Sequence, residues 1–250
     1  MKDKVIWVIG ASSGIGYALA KELHDQGARL ILSARREEQL ESLNQELGGQ
    51  HLVCPLDVGE HETLVEAVAS IKARYDRLDS VLFLPAIYTP HDGQKKYIET
   101  IHKMLHVNLG GAFNVVDVVQ ELFEAQRSGQ IILCGSVAGY RGLPSGQPYC
   151  AAKAAIISYA ESLKLDLEGK GVDVKVINPG FVRTPLTDKN EFEMPMIIEP
   201  EQAARVIAKE MQSRKFEIHF PKKFTFIMKM IHLLPAPLYF ALMRRVNPNK

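Results

Sequence analysis

The runs V-I-W-V-I (5–9), R-L-I-L-S (29–33), H-L-V-C-P (51–55), S-V-L-F-L (80–84), I-I-L-C (131–134), V-K-V-I (174–177) and E-I-H-F (217–220) recur along the 250-residue chain, separated by longer stretches with helical periodicity. Strands that are apolar at nearly every position, rather than at every second one, suit a sheet covered on both faces. In the first interval Ile15, Ala18, Leu19 and Leu23 fall on one helical stripe, and Gly27 follows where a helix C-terminus wants positive φ. The repeated order strand, helix, strand implies right-handed crossovers, hence an α/β fold: a doubly wound parallel sheet of about seven strands with helices on both faces. No linker, low-complexity tract, long charge run or repeat period divides the chain, so one large domain is expected.

Directly after the first run, G-A-S-S-G-I-G places glycines at 10, 14 and 16. Here the chain must turn tightly, admit a pyrophosphate against its backbone, and open a helix whose N-terminal amides and dipole face that anion. Strand before and helix after provide the context that a lone glycine trio lacks. The expectation is a dinucleotide-binding domain of Rossmann type over residues 1–220.

Farther along, Y-C-A-A-K places Tyr149 and Lys153 four residues apart, on one face of a helix. A free phenol titrates near ~10, and bringing it to neutrality takes roughly 4 kcal/mol of differential stabilisation, more than one partly solvated ammonium supplies. Eight tyrosines and eighteen lysines in this chain predict ~0.6 such pairs by chance, and a second one, Tyr17 with Lys21, is present. The surroundings must separate the two.

The glycine loop together with Asn108, Ser136 and Y-C-A-A-K resembles the single-domain branch of the short-chain dehydrogenase/reductase family, over about residues 4 to 220. The resemblance implies an oxidoreductase moving a hydride between a nicotinamide and a carbonyl or secondary alcohol. Tyr149 would be the general acid/base, Lys153 would lower its pKa and hold the nicotinamide ribose, Ser136 would hydrogen-bond the substrate oxygen, and Asn108 would help hold a relay water. The cationic oxidised nicotinamide would add the second positive charge. Tyr17 has no serine thirteen residues upstream and lies within the cofactor-loop helix, so it is read as structural. The implied cofactor contacts are Gly10, Ser12, Ser13, Gly14, Ile15 and Gly16 in the loop, Asp57 and Val58 after the third strand, and Ala86 after the fourth. Asn108, Tyr149 and Lys153 join them, as do Pro179, Gly180, Val182 and Thr184 in P-G-F-V-R-T. Thr184 is read as a carboxamide partner, with helix N-capping as the competing role.

After the second strand, S-A-R-R offers Ala34 where an NAD site usually offers a carboxylate, and Arg35 beside it. A guanidinium favours a 2′-phosphate, so NADP(H) is expected over NAD(H), against the alternative that Arg35 and Arg36 are a solvated pair. One departure stands out: F-L-P-A at 83–86 replaces the family's N-N-A-G, and Pro85 lacks a backbone donor, which bears on local sheet geometry and cofactor affinity.

Between the nicotinamide loop and the next helix, residues 188–200 hold Phe192, Met194, Met196, Ile197 and Ile198, which suit either a lipophilic substrate or packing on the domain. Residues 221–250 form a C-terminal extension. Its uncharged stretch Met230 to Met243 is fourteen residues with two prolines, short of the ~20 that a bilayer span needs. From residue 215 seven Lys/Arg face one Glu, a combination that fits peripheral contact with an anionic membrane as well as packing or a subunit interface.

The chain carries 30 basic and 29 acidic residues, so no global field recruits nucleic acid and a small-molecule substrate is the default. Cys54, Cys134 and Cys150 lack C-x-x-C spacing and read as buried thiols. The apolar run before Gly10 is too short for a signal-peptide core, which points to the cytoplasm. His102 and His106 share a helical face without H-E-x-x-H or a third ligand, so no metal is expected. The family resemblance also implies a homo-oligomer. The rival to an enzyme is a non-catalytic NADPH-binding sensor or scaffold.

Overall fold

The computed structural model describes residues 1–89, 97–189 and 192–245. Seven strands, β1 (Val5–Ile9), β2 (Arg29–Ser33), β3 (Leu52–Val53), β4 (Ser80–Phe83), β5 (Gly129–Cys134), β6 (Val172–Pro179) and β7 (Glu217–Phe220), form one sheet in the order β3-β2-β1-β4-β5-β6-β7. All pairs are parallel. The order reverses between β1 and β4, and this switch point opens a crevice at the carboxyl ends of the strands.

Side chains alternate across the sheet, so each strand feeds two cores. On one face Trp7, Ile9, Val81, Phe83, Ile131 and Val174 pack against α3 (His61–Arg74), α5 (Gly111–Gln126) and α6 (Tyr149–Asp166). On the other, Ile6, Val8, Leu30, Leu82, Ile132 and Ile218 meet α1 (Gly14–Asp25), α2 (Glu37–Glu46) and α7 (Pro200–Glu210). Burial on both faces explains why the strand sequences do not alternate apolar with polar. Helix α1 ends as its glycine predicts, with Gly27 at φ +79°. The third run is much shorter than its sequence suggests: β3 keeps two residues, because it lies at the sheet edge and Pro55 cannot donate to a ladder.

The F-L-P-A departure leaves the sheet intact. β4 pairs with β1 through Ile9 and Phe83, Leu84 N still donates to Ile9 O (3.1 Å), and Pro85 comes one residue after the ladder has ended. The extension folds as two helices, α8 (Lys222–His232) and α9 (Ala236–Arg245). Asn190 and Glu191 of the substrate-side loop and residues 246–250 of the tail lie outside the described residues.

Candidate active site

The glycine loop leaves β1 at the switch point. Gly10 sits at φ +93°, a conformation that L side chains rarely adopt, and a Cβ on Gly16 would lie 2.2 Å from Gly10 O. Only glycine permits this turn to close so tightly. The helix that follows begins at Gly14, and Ser13 before it makes no side-chain cap, so the first-turn amides of α1, including Ile15, keep their donors for a ligand. These features fit a dinucleotide pyrophosphate at this loop. Ser12 Oγ is engaged by Arg36, whose Nη2 donates to it at 3.1 Å, while Arg35 is exposed. Arg36, the neighbour of the nominated arginine, is therefore the one that touches the loop.

At the opposite rim, Thr184 Cγ2 would lie 3.0 Å from a Cβ built on Gly14, so the two nominated cofactor segments are in contact. Pro179 closes β6, Gly180 N donates to Phe220 O (2.7 Å), and Val182 is buried and bridged to Ile198. Thr184 caps no α-helix. Its amide donates to Thr187 Oγ1 (3.0 Å), and its hydroxyl lies 3.3 Å from the same oxygen, which in turn donates to Val182 O (2.7 Å). Thr187, unmarked in the sequence, ties this loop together. Asp57 uses one carboxylate oxygen to accept from Gly59 N (3.0 Å), and Val58 beside it is buried.

Asn108 occupies a π turn, His106–Gly110, inserted between α4 (Ile98–Leu105) and α5. Such turns widen a helix locally and recur at functional sites. Asn108 is fully buried and reads one backbone unit in both directions: Ile87 N donates to its Oδ1 (2.8 Å) and its Nδ2 donates to Ile87 O (2.9 Å). This clamp fixes the chain just past Ala86 without the asparagines the family usually has there.

Ser136 follows β5 with extended backbone, and its Oγ accepts from Ala138 N (3.1 Å). Tyr149 opens α6, near enough to the Ser136 hydroxyl for that hydroxyl to favour its phenolate. One turn on, Lys153 Nζ lies 5.7 Å from the Tyr149 ring centre, and the ammonium donates to Cys134 O at 2.6 Å. Burial pushes the Tyr149 phenol well above its ordinary range, with Cys134 adding to this and Ser136 pulling it back. Burial also pushes the Lys153 amine down. The free protein thus holds a protonated phenol beside an amine whose charge is disfavoured.

The second Tyr–Lys pair has similar spacing and opposite surroundings. Lys21 Nζ lies 5.5 Å from the Tyr17 ring, but both side chains bond to Glu46, and that bond raises the Tyr17 phenol. A carboxylate partner disfavours phenolate, whatever the lysine does.

One side chain absent from the sequence reading joins the site: Tyr88 packs edge-on against Tyr149, ring centres 5.3 Å apart at 66°. Its carbonyl accepts from Lys189 Nζ (2.8 Å), which ties the loop after β4 to the loop after β6. The apolar cluster there divides. Ile198 packs into the domain, exchanging backbone hydrogen bonds with Phe181 (3.1 Å) and Arg183 (2.9 Å), while Phe192 and Met196 stay exposed and Phe192 meets Phe181 edge-on (5.8 Å between ring centres). The three cysteines are free and buried, as expected.

The short-chain dehydrogenase family model matches residues 4–194. The chain belongs to the short-chain dehydrogenase/reductase family. An uncharacterized oxidoreductase of Myxococcus xanthus is 31% identical over 250 residues, 99% of each chain, so this relative extends through the tail. A 3-oxoacyl-[acyl-carrier-protein] reductase of Thermotoga maritima is 31% identical over 192 residues, 76% of this chain and 78% of the relative. Among solved structures, a family member from Burkholderia phymatum in complex with NAD has TM-score 0.84 at 21% identity (92% of this chain, 93% of that one). A short-chain dehydrogenase from Burkholderia cenocepacia in complex with NADP also has 0.84, at 20% identity (97% and 98%). As a member of this family the protein is an oxidoreductase that uses a nicotinamide dinucleotide. The likeness to complexes of both dinucleotides leaves the choice to residues of this chain.

Proposed function

We propose that the protein is an NADPH-preferring carbonyl reductase, acting also as an alcohol dehydrogenase in reverse, on substrates with an extended apolar chain. The observation that carries this reading is the convergence of Tyr149, Lys153 and Ser136 beside the Asn108 π turn, at the carboxyl edge where the glycine loop opens. When bound, the nicotinamide supplies or takes the hydride. Ser136 donates to the substrate oxygen and holds it against Tyr149. The phenol, protonated in the free protein, gives its proton to that oxygen during reduction, and Lys153 stabilises the phenolate that remains. Asn108, whose side chain grips Ile87, would help hold a relay water that returns to Tyr149 the proton it gives up.

Two features support NADPH. Ala34, directly after β2, offers no carboxylate, and Arg35 and Arg36 beside it both lie exposed, with Arg36 on Ser12. The apolar-substrate reading rests on exposed Phe192 against Phe181, on exposed Met196, and on Tyr88 against Tyr149. Replacing both arginines, Arg35→Ala with Arg36→Ala, is expected to raise the KM for NADPH about tenfold or more and leave that for NADH within about twofold. With ketones of graded chain length, kcat/KM should rise with length; equal turnover of short and long substrates would remove the lipophilic part of the reading, and unchanged NADPH preference in the double variant would remove the arginine part.

A further inference from the structure

The tail keeps two opposed faces. Inward, Phe224, Thr225 and Met228 of α8 are buried, with Phe224 against Phe181 (5.4 Å between rings) and so close to Gly180 that a Cβ there would lie 2.6 Å from its ring. Arg141, in the loop between Ser136 and Tyr149, donates from Nη1 to the carbonyls of Ile231 (3.4 Å), His232 (3.0 Å) and Leu234 (2.6 Å), and its guanidinium lies 3.8 Å from the Tyr239 ring. The tail is thereby fastened to the segments that frame the substrate end of the site.

Outward, α8 presents Phe226, Ile227 and Met230, with Leu233 after it, at helical spacing, and α9 adds Leu238 and Phe240. These six are half of the twelve exposed large apolar side chains among the described residues, gathered on 24 positions. A helix apolar on both faces does not rest against water. The charge around this patch says what it faces. Residues 218–250 hold six Lys/Arg and no Asp or Glu, whereas the remaining chain carries 24 Lys/Arg against 29 Asp/Glu. Lys222 is paired with Glu210 (3.1 Å) and Lys229 with Glu217, but Lys223, Arg244 and Arg245 stand exposed at the ends of the patch, without an ion pair among the described residues. A basic apolar face on an acidic body is repelled by anionic lipid everywhere except at that face. No helix among the described residues is long and apolar enough to cross a membrane, so the tail would lie on the surface.

We propose that α8 and α9 dock the protein on an anionic lipid bilayer, with Phe226, Ile227, Met230, Leu233, Leu238 and Phe240 inserted at the headgroup boundary and Lys223, Arg244 and Arg245 on lipid phosphates. Docking this way brings the loops around Arg141 and Phe181 to the bilayer. The proposal stands on the tail alone and does not depend on the substrate reading.

The test is co-sedimentation of the full chain with vesicles of phosphatidylcholine alone and of phosphatidylcholine containing phosphatidylglycerol. Three proteins are compared: wild type, Phe226→Ser with Leu238→Ser, and Lys223→Glu with Arg244→Glu and Arg245→Glu. Wild type is expected to pellet with the anionic vesicles only and to be released by high salt. The charge variant should bind about a hundredfold or more weakly, and the serine variant should stay in the supernatant. Both variants should keep wild-type circular dichroism. Wild type remaining in the supernatant with anionic vesicles, or either variant pelleting like wild type, would overturn the proposal. So would an analytical-ultracentrifugation dimer that the serine variant dissociates while no vesicle binds any of the three proteins, because the face would then belong to a second copy of this chain.

Discussion

At the scale of single residues, two Tyr–Lys pairs with almost equal ring-to-ammonium distances both hold a protonated phenol, for different reasons. A carboxylate, Glu46, holds the Tyr17 phenol protonated, whereas burial does so for Tyr149, which faces Ser136 and Lys153. Burial, with Cys134, pushes Tyr149 up, and burial pushes Lys153 down; in the proposed mechanism the lysine charge and the cationic oxidised nicotinamide would favour the phenolate. The sign of the pH dependence follows. In the proposed mechanism reduction uses protonated Tyr149, so its kcat/KM should fall as pH rises through the phenol's ionisation, whereas alcohol oxidation would use phenolate and should rise over the same range. Lys153→Gln removes the charge that favours phenolate, so both limbs should move to higher pH in profiles measured in the two directions. Profiles that keep their midpoints in the variant would show that Lys153 does not tune this group.

At the scale of elements, the fold stores a second titration. His51, at the start of the third run, is buried between β2 and α1: Leu30 N donates to its Nδ1 (3.2 Å), so that nitrogen carries the lone pair, and its Nε2 proton faces His24 Nδ1 (2.9 Å). Burial, with help from His24 and Arg74, depresses the imidazole to about 4. A group depressed in the folded state stabilises at pH above its unfolded value, near ~6.5, and that stability is lost as pH falls toward the folded value, by up to roughly 3 kcal/mol. Urea midpoints should therefore drop between about pH 6.5 and about pH 4, and His51→Gln should flatten that drop while lowering stability at neutral pH; an equally steep drop in the variant would assign it elsewhere. Elements of this kind were unequally legible in the sequence. The strand runs, the glycine loop and the Gly27 helix end were readable because each has a local cause in periodicity or φ. The π turn was not, since the wider His106–Gly110 turn leaves no compositional mark. Arg36 on Ser12, Tyr88 against Tyr149 and Thr187 as the loop's tie depend on how loops from distant strands meet, which one-dimensional pattern does not encode. The carboxyl-end rule for open sheets would have directed attention to Tyr88, five residues past Phe83.

At the scale of the whole molecule, one sheet edge gathers every nominated site residue and the tail closes over that edge. Tyr140 and Asn178 both donate to Glu217, which also holds Lys229, so β6, β7, the loop after Ser136 and α8 share one carboxylate. Phe192, Phe181 and Phe224 continue the link as a chain of rings from the substrate-side loop into the tail. The loop after Ser136, the loop after β6 and the tail are thus joined to one another beside Tyr149. The most direct test of that organisation is NADPH oxidation against a long-chain ketone by wild type and Tyr149→Phe, with NADPH binding measured in parallel. Loss of turnover by about a hundredfold or more with NADPH affinity retained is the predicted result, and turnover by Tyr149→Phe at the wild-type rate would contradict it.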